Sequence, residues 1–335
     1  MPSLVNESCD QGVLFKKAKR NYEVHSNGRV ISCTLSARLL KELEYPIASP
    51  TSVRHRVRNV KQLDQGDPVA IGDHVRYLEV PGGAMIIDIL PRRTQLARRS
   101  AVPMPGARPF EQVFVANLDQ VIPVFSAANP EPKWNMLDRY LVTAESAGLP
   151  SLICITKMDL LENSNGGDDS ALHEALDDYR RIGYPVILTS AANETGLDEL
   201  TSALRGRSSV LLGKSGVGKS TLLNAIEPGL GLRVNQVNQV TGKGRHTTTH
   251  FEMFPLAIGG AIIDTPGVRE FGLWDVHPDD LAGFFPEMRP YVGTCKFGLD
   301  CSHDEEPGCE IRKAVMGGVV NPRRYQSYLR LRSEV

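Results

Sequence analysis

Gly213-Lys214-Ser215-Gly216-Val217-Gly218-Lys219-Ser220 places two glycines four residues apart and then Lys-Ser. Ser209-Val210-Leu211-Leu212 before it reads as a short buried strand, and Thr221 to Ile226 after it as the opening of a helix. A strand, a glycine loop and a helix in that order commit this part of the chain to an α/β sheet that holds phosphate. Glycines let the backbone turn its N–H groups inward around the anion, and the helix N-terminus adds a favourable dipole. In such a loop Lys219 reaches the β- and γ-phosphates and the Ser220 hydroxyl takes Mg²⁺.

The sequence around this loop alternates strands with helices. Gln120 to Ser126, Leu152 to Ile155 and Pro185 to Thr189 read as strands. Met136 to Ala147, Ala171 to Arg181 and Leu197 to Leu204 read as helices. Thr156-Lys157-Met158-Asp159 follows the second strand. A carboxylate at Asp159 can accept from both N1–H and N2–H₂ of guanine, whereas adenine offers it an acceptor. The Lys157 stem can cover the base, and Ser190-Ala191 after the next strand can support it through backbone N–H groups.

Downstream, Ala261-Ile262-Ile263-Asp264-Thr265-Pro266-Gly267 is a strand followed by Asp-x-x-Gly. Asp264 is expected to hold Mg²⁺ through water, and the Gly267 N–H to sense the γ-phosphate. Between the phosphate motifs lies Thr241-Gly242-Lys243-Gly244-Arg245-His246-Thr247-Thr248-Thr249, a cation-rich segment ending in hydroxyls. It suits a switch loop in which Thr248 contacts the metal. Val268 stands where many GTPases place a water-orienting glutamine, so His246 is the candidate for that task. The base-reading elements precede the phosphate loop, an inverted order that amounts to a circular permutation. The chain after Gly267 then runs straight into a C-terminal module.

Residues 1–110 hold 17 Lys+Arg against 10 Asp+Glu, although the whole chain carries a net charge of only −1. A basic module on a near-neutral protein is a candidate polyanion-binding surface. Residues 1–20 read as a basic tail. From 21 to 100 short β-branched runs alternate with turns such as Asn27-Gly28 and Pro81-Gly82-Gly83, which fits an OB-fold barrel. Arg54, Arg56, Arg58, Lys61, Arg92, Arg93, Arg98 and Arg99 are expected along its loops and exit, where they suit a nucleic-acid backbone. A Pro/Gly linker at 101–109 ends this domain, and the α/β domain is expected over 110–275.

Cys295, Cys301, His303 and Cys309 lie within 15 residues of one another in the last expected domain, 276–335. Three thiols and an imidazole make a closed Zn²⁺ site plausible. Helices are expected over Pro278 to Phe285 and Pro322 to Arg332. Arg323, Arg324, Arg330 and Arg332 on the latter suggest a second basic contact. No apolar run approaches the length of a membrane span and no signal-peptide core opens the chain, so a cytoplasmic protein is expected.

Taken together, the barrel, the permuted nucleotide domain and the cysteine cluster resemble the ribosome-small-subunit-dependent GTPases of bacteria (RsgA type). The matching residues are Thr156 to Asp159, Gly213 to Thr221, Gly242 to Thr249, Asp264 to Gly267 and Cys295 to Cys309. The resemblance implies a multi-domain chain: an N-terminal OB-fold, a circularly permuted α/β P-loop GTPase domain and a C-terminal α-helical zinc-binding domain. It implies hydrolysis of GTP to GDP, stimulated by the 30S subunit during late maturation of 16S rRNA. A monomer that meets the subunit, with other assembly factors as further partners, is the corresponding expectation. Thr156 stands where many G domains carry Asn, removing an amide that braces the phosphate loop, which points to modest guanine affinity. Five residues separate Cys295 from Cys301, where the family pattern leads one to expect four. Two other readings differ in class: a nucleotide-gated RNA-binding protein with incidental turnover, separable by RNA-stimulated rates, and a small-molecule kinase, separable by its products.

Overall fold

The computed structural model describes residues 9–18, 21–39, 69–99, 111–162, 169–232, 252–264 and 276–334. The chain divides into two compact units, Met1–Asn117 with His250–Met253, and Leu118–Thr249 with Phe254–Val335.

In the first unit, strands β1 (Asp10–Ala18), β2 (Asn21–Ser26), β3 (Arg29–Leu35), β4 (His74–Val80) and β5 (Gly83–Ile89) pair in the order β1-β2-β3-β5-β4. β4 also returns to β1, closing a barrel of the OB type. Closure depends on β1 serving two neighbours. Asp10 to Val13 pairs with β4 and Val13 to Ala18 with β2, and the register shifts between Leu14 and Lys16 where the strand bends. Leu14, Val24, Cys33, Val75, Tyr77 and Ile86 are buried in this unit. At the β2–β3 turn Asn27 and Gly28 have φ of 51° and 74°, the pair of left-handed positions a type I′ hairpin requires.

The expected basic tail over 1–20 is therefore corrected for residues 10–18, which form the first barrel strand. Val13-Leu14-Phe15 is too short to show a period, and the cations after it disguised the strand. Those cations are engaged: Lys16 Nζ lies 2.5 Å from Glu252 Oε1, and Lys17 Nζ donates to the Val69 carbonyl at 2.8 Å. Arg92, expected to face nucleic acid, instead donates from Nε and Nη2 to the fully buried Asp73 carboxylate at 2.7 and 2.9 Å. Arg54, Arg56, Arg58 and Lys61 lie outside the described residues, as do the side chains of Arg98 and Arg99.

β6 (Gln95–Arg99) and β7 (Glu111–Ala116) form an antiparallel pair. β7 thus belongs to the first unit, which ends at Asn117, later than the linker suggested. Asn117 fastens that end, donating to the Gly72 carbonyl at 2.9 Å and accepting from the Arg93 N–H at 2.9 Å. Gly72 has φ of 87°, and a Cβ there would lie 2.2 Å from the Ala116 carbonyl oxygen, so no larger residue fits this closure.

The second unit is built on a parallel sheet of β8 (Gln120–Ser126), β9 (Ile153–Thr156), β10 (Val186–Leu188), β11 (Arg207–Leu212) and β13 (Gly260–Asp264). Its order is β10-β9-β8-β11-β13, and β12 (Glu252–Pro255) precedes the last strand in the chain. Every residue of β8 is buried, as a central parallel strand demands. Helices α1 (Trp134–Ser146), α2 (Asp159–Glu162), α3 (Ser170–Ile182), α4 (Leu197–Leu204) and α5 (Lys219–Ile226) connect the strands. Ile122, Val124, Cys154, Ile187, Leu200, Leu211, Leu222 and Ile262 form one core.

The C-terminal segment belongs to the same unit. It contains 3₁₀ turns at Leu281–Phe284, Arg289–Tyr291 and Gly298–Asp300, then α6 (Glu310–Met316) and α7 (Pro322–Arg332). The helix expected over Pro278 to Phe285 is only the first of those turns. Phe285, Met288, Ile311, Tyr328 and Leu331 pack with the three clustered cysteines and with Val142 of α1.

Helix α7 corrects the expected second basic contact. Arg324 is 0% exposed. Its Nη1 donates to Asp138 Oδ1 of α1 at 2.7 Å, and its Nε and Nη2 donate to the Glu287 carboxylate at 2.7 and 3.1 Å. Tyr179 of α3 donates its hydroxyl to the same Asp138 oxygen at 2.6 Å. Arg323 lies over the Trp134 ring, 4.9 Å from its centroid, and near Asp178. One fork-shaped guanidinium donates to two carboxylates at once, which is what permits its burial. Arg324→Met is expected to cost about 3–5 kcal/mol of stability, because Asp138 and Glu287 remain buried without a counter-charge. Urea denaturation measures it, and a loss below about 1 kcal/mol would mean the junction is effectively solvated.

Candidate functional site

The loop after β11 is shaped by close backbone approach. A Cβ on Gly213 would lie 2.4 Å from the Val124 carbonyl oxygen of β8, so the chain can leave the sheet here only without a side chain. Gly216 and Gly218 take φ of 85° and 98°, and α5 starts at the next residue, Lys219. Lys219 Nζ donates to the Gly213 and Lys214 carbonyls at 2.6 and 3.2 Å, which holds its ammonium over the loop. Ser215 is exposed, Val217 is buried in the core, Ser220 is half-buried in the first turn of α5, and Thr221 is exposed. This is a cradle of backbone N–H groups at a helix start with a cation beside it, and it can take a phosphate chain.

The loop after β9 is joined to that cradle. Thr156 Oγ1 donates to the Val217 carbonyl, and also to the Phe125 carbonyl at 3.3 Å. The hydroxyl thus supplies a brace to the phosphate loop at the position where many G domains carry an asparagine amide. Lys157, at φ of 59°, donates from Nζ to the Gly216 carbonyl at 2.7 Å and to the Asn129 carbonyl. Burial lowers the lysine pKa, and the Asp159 charge opposes that shift. The Met158 N–H donates to the Thr189 carbonyl at 3.2 Å, tying the loop to the end of β10.

Asp159 opens α2, and its Oδ1 accepts from the Ser190 hydroxyl at 2.5 Å. The Ser190 N–H and carbonyl are both committed to Thr195, at 3.0 and 3.1 Å. Ser190 therefore acts on the carboxylate through its hydroxyl, and the expected backbone N–H support falls to Ala191 alone. The Ser190 oxygen also accepts from the Asn193 N–H at 3.2 Å, which fixes its rotamer.

Asp264 ends β13, opposite Leu211 in register, and its side chain lies outside the described residues. His246, Thr248 and Gly267 lie outside them altogether.

Cys295, Cys301, His303 and Cys309 converge, with one ligand atom from each lying within 4.8 Å of all the others. Cys295 Sγ is 3.4 Å from His303 Nδ1 and 3.9 Å from Cys309 Sγ, so the longer spacing to Cys301 does not displace it. A tetrahedral zinc with bonds of about 2.3 Å to sulfur needs ligand separations of roughly 3.8 Å, so the donor set fits. Without an ion, burial pushes the Cys301 thiol up to about 12 and lowers His303, so an entering ion displaces thiol protons.

Five residues that support this cluster were not legible in the sequence. The Glu310 and Arg312 N–H groups at the start of α6 donate to Cys295 and Cys309 sulfurs at 3.3 and 3.5 Å. Tyr325 and Tyr328 donate to the His303 and Ser302 carbonyls at 2.6 and 2.8 Å. Glu306 accepts from the Ser302 and Asp304 N–H groups at 2.7 and 3.0 Å and from the Ser302 hydroxyl. Such outer contacts orient ligands before a metal arrives.

Residues 89–274 match the sequence model of the RsgA GTPase family. A small ribosomal subunit biogenesis GTPase RsgA of Gemmatimonas aurantiaca is 46% identical over 283 residues, covering 84% of this chain and 88% of that one. A protein of the same name from Pseudomonas aeruginosa is 45% identical over 247 residues, covering 74% of this chain and 70% of the relative. Among solved structures, YjeQ from Thermotoga maritima is similar with a TM-score of 0.73 and 29% identity, over 97% of this chain and 98% of that one. YloQ, described as a circularly permuted GTPase, gives 0.67 and 28%, over 100% of this chain and 97% of that one. With the phosphate cradle, the braced Asp159 and these likenesses together, the chain belongs to the RsgA GTPase family.

Proposed function

We propose that this GTPase reads guanine through Asp159 and turns over GTP in step with maturation of the small ribosomal subunit. The observation that carries the reading is the Asp159 carboxylate, held by the Ser190 hydroxyl on a loop whose Thr156 and Lys157 bond phosphate-loop carbonyls. Base and phosphate recognition are then one rigid surface, and binding guanine positions the phosphates.

Residues of the cradle, Gly213 to Thr221, would hold the phosphates, with Lys219 on the β- and γ-oxygens. Ser220, Thr248 and Asp264 would hold Mg²⁺, directly or through water, and the Gly267 N–H would meet the γ-phosphate. When bound, the ion supplies neutralisation of charge at the phosphates. Val268 cannot orient water, so His246 is the candidate to hold the attacking water in line. Its placement is the step that rRNA would complete. The four clustered ligands would hold one Zn²⁺. The names of the relatives assign them to small-subunit biogenesis, which supports the same setting here. The surplus of cations in residues 1–110 supports contact with 16S rRNA. No described helix is long and apolar enough to cross a membrane, and a cytoplasmic setting follows from the ribosomal partner.

Asp159→Asn is expected to weaken GTP by about 3 kcal/mol, roughly a hundredfold, and to gain xanthosine triphosphate. Competition binding tests this, and equal affinity of the unmodified protein for ATP and GTP would refute guanine reading. Elemental analysis is expected to find about one zinc per chain, lost in Cys309→Ala with reduced folding stability. Zinc-free protein of unchanged stability would remove the metal from the picture. Adding 30S subunits is expected to accelerate hydrolysis at least about a hundredfold, and His246→Ala to abolish most of that gain while GTP and subunit binding persist. Full stimulation in the variant would assign the water to another group.

A further inference from the structure

The loop after β8 leaves the sheet between the loops after β9 and β11, because β8 is the strand between those two. It is fastened at both ends. The Ala127 N–H donates to the Thr156 carbonyl at 2.8 Å, and the Ser126 hydroxyl donates to the Pro130 carbonyl at 2.6 Å. Between these contacts Asn129 adopts φ of 47°, and its carbonyl accepts from Lys157 Nζ. The same ammonium donates to the Gly216 carbonyl at 2.7 Å, while Lys157 itself has φ of 59°. One cation therefore spans carbonyls of two loops from a backbone that belongs to the third. Left-handed backbone outside glycine costs free energy, and residues that adopt it concentrate at ligand sites. Here two such residues meet through one hydrogen bond, beside the phosphate loop. A Cβ on Gly218 would lie 3.8 Å from Lys157 Cε, so the lysine stem runs directly along that loop.

We propose that Asn129 is a positioning residue for the guanine nucleotide: its main-chain carbonyl holds the Lys157 ammonium and so fixes the stem that covers the base. An ammonium on a flexible four-carbon stem can swing about a single tie, and a second tie removes that freedom. Asn129 acts only through Lys157. The position demands a backbone conformation, which glycine adopts freely and a β-branched residue resists. Ser126, buried beneath, acts one step further back by closing the loop that presents the Asn129 carbonyl. This rests on the reading of Thr156 to Asp159 as the guanine-recognition turn, proposed above.

The test follows release of a fluorescent GDP from the full chain by stopped flow. Lys157→Met keeps a stem and removes the ammonium. It and Asn129→Val are each expected to speed release about tenfold, the size of one hydrogen bond to a charged group. The double variant is expected to be no faster than Lys157→Met alone, because both changes remove the same tie. Asn129→Gly is expected to restore release to within about twofold of the unmodified protein. Ser126→Ala loosens the loop without touching position 129, and is expected to speed release about threefold, again only while Lys157 is present. If Lys157→Met speeds release and Asn129→Val does not, or if the two effects multiply, the positioning role is overturned. If Asn129→Gly is as fast as Asn129→Val, the asparagine side chain is responsible and the role is likewise overturned. If Lys157→Met leaves release unchanged, Lys157 does not cover the base and this inference falls, while Asp159→Asn still reports on guanine reading by itself.

Discussion

The hydroxyl of Thr156 on the Val217 carbonyl is the joint on which the nucleotide site depends. It links a loop that follows β9 to a loop that follows β11, and between those strands runs β8. β8 takes part in both connections. Its Val124 carbonyl forces a glycine at 213, and its Phe125 carbonyl receives the same Thr156 hydroxyl. Lys157 adds a second tie to Gly216, so a shift in the loop after β9 is felt directly in the phosphate cradle.

A comparable joint secures the C-terminal module. Arg324, Asp138, Glu287 and Tyr179 form a buried polar network in which one guanidinium serves two carboxylates. Such a network contributes little over an apolar core, yet it tolerates only one arrangement of its members. The module is thereby registered on α1, the helix that follows β8. The Cys₃His cluster, whose cysteines pack in the same core, inherits that registration.

How far the sequence could be read follows from how local each signal is. The glycine loop, the Thr156 to Asp159 turn, the strands β8 to β11 and the cysteine cluster are short-range patterns, and each appears where its spacing places it. What stayed hidden depends on partners distant in the chain. Arg324 reads as a surface cation because its partner Asp138 is 186 residues away. Lys16-Lys17 reads as a tail because Glu252 and Val69 are not adjacent to it in sequence. Arg92 reads as a loop cation until Asp73 is seen beneath it. Ser190 reads as a backbone N–H donor because only the pairing with Thr195, five residues on, shows that N–H to be occupied.

The permuted order changes connections without changing the site. The loops after β9 and β11 leave strands on either side of β8, and parallel neighbours of a central strand impose no order on the chain that links them. What permutation does alter is the chain beyond the phosphate motifs. Residues 265–275 connect the end of β13 to a module fixed on α1 through Arg324, and residues 233–251 connect Leu232, fixed on α5, to Glu252, paired with Lys16 of the barrel strand β1.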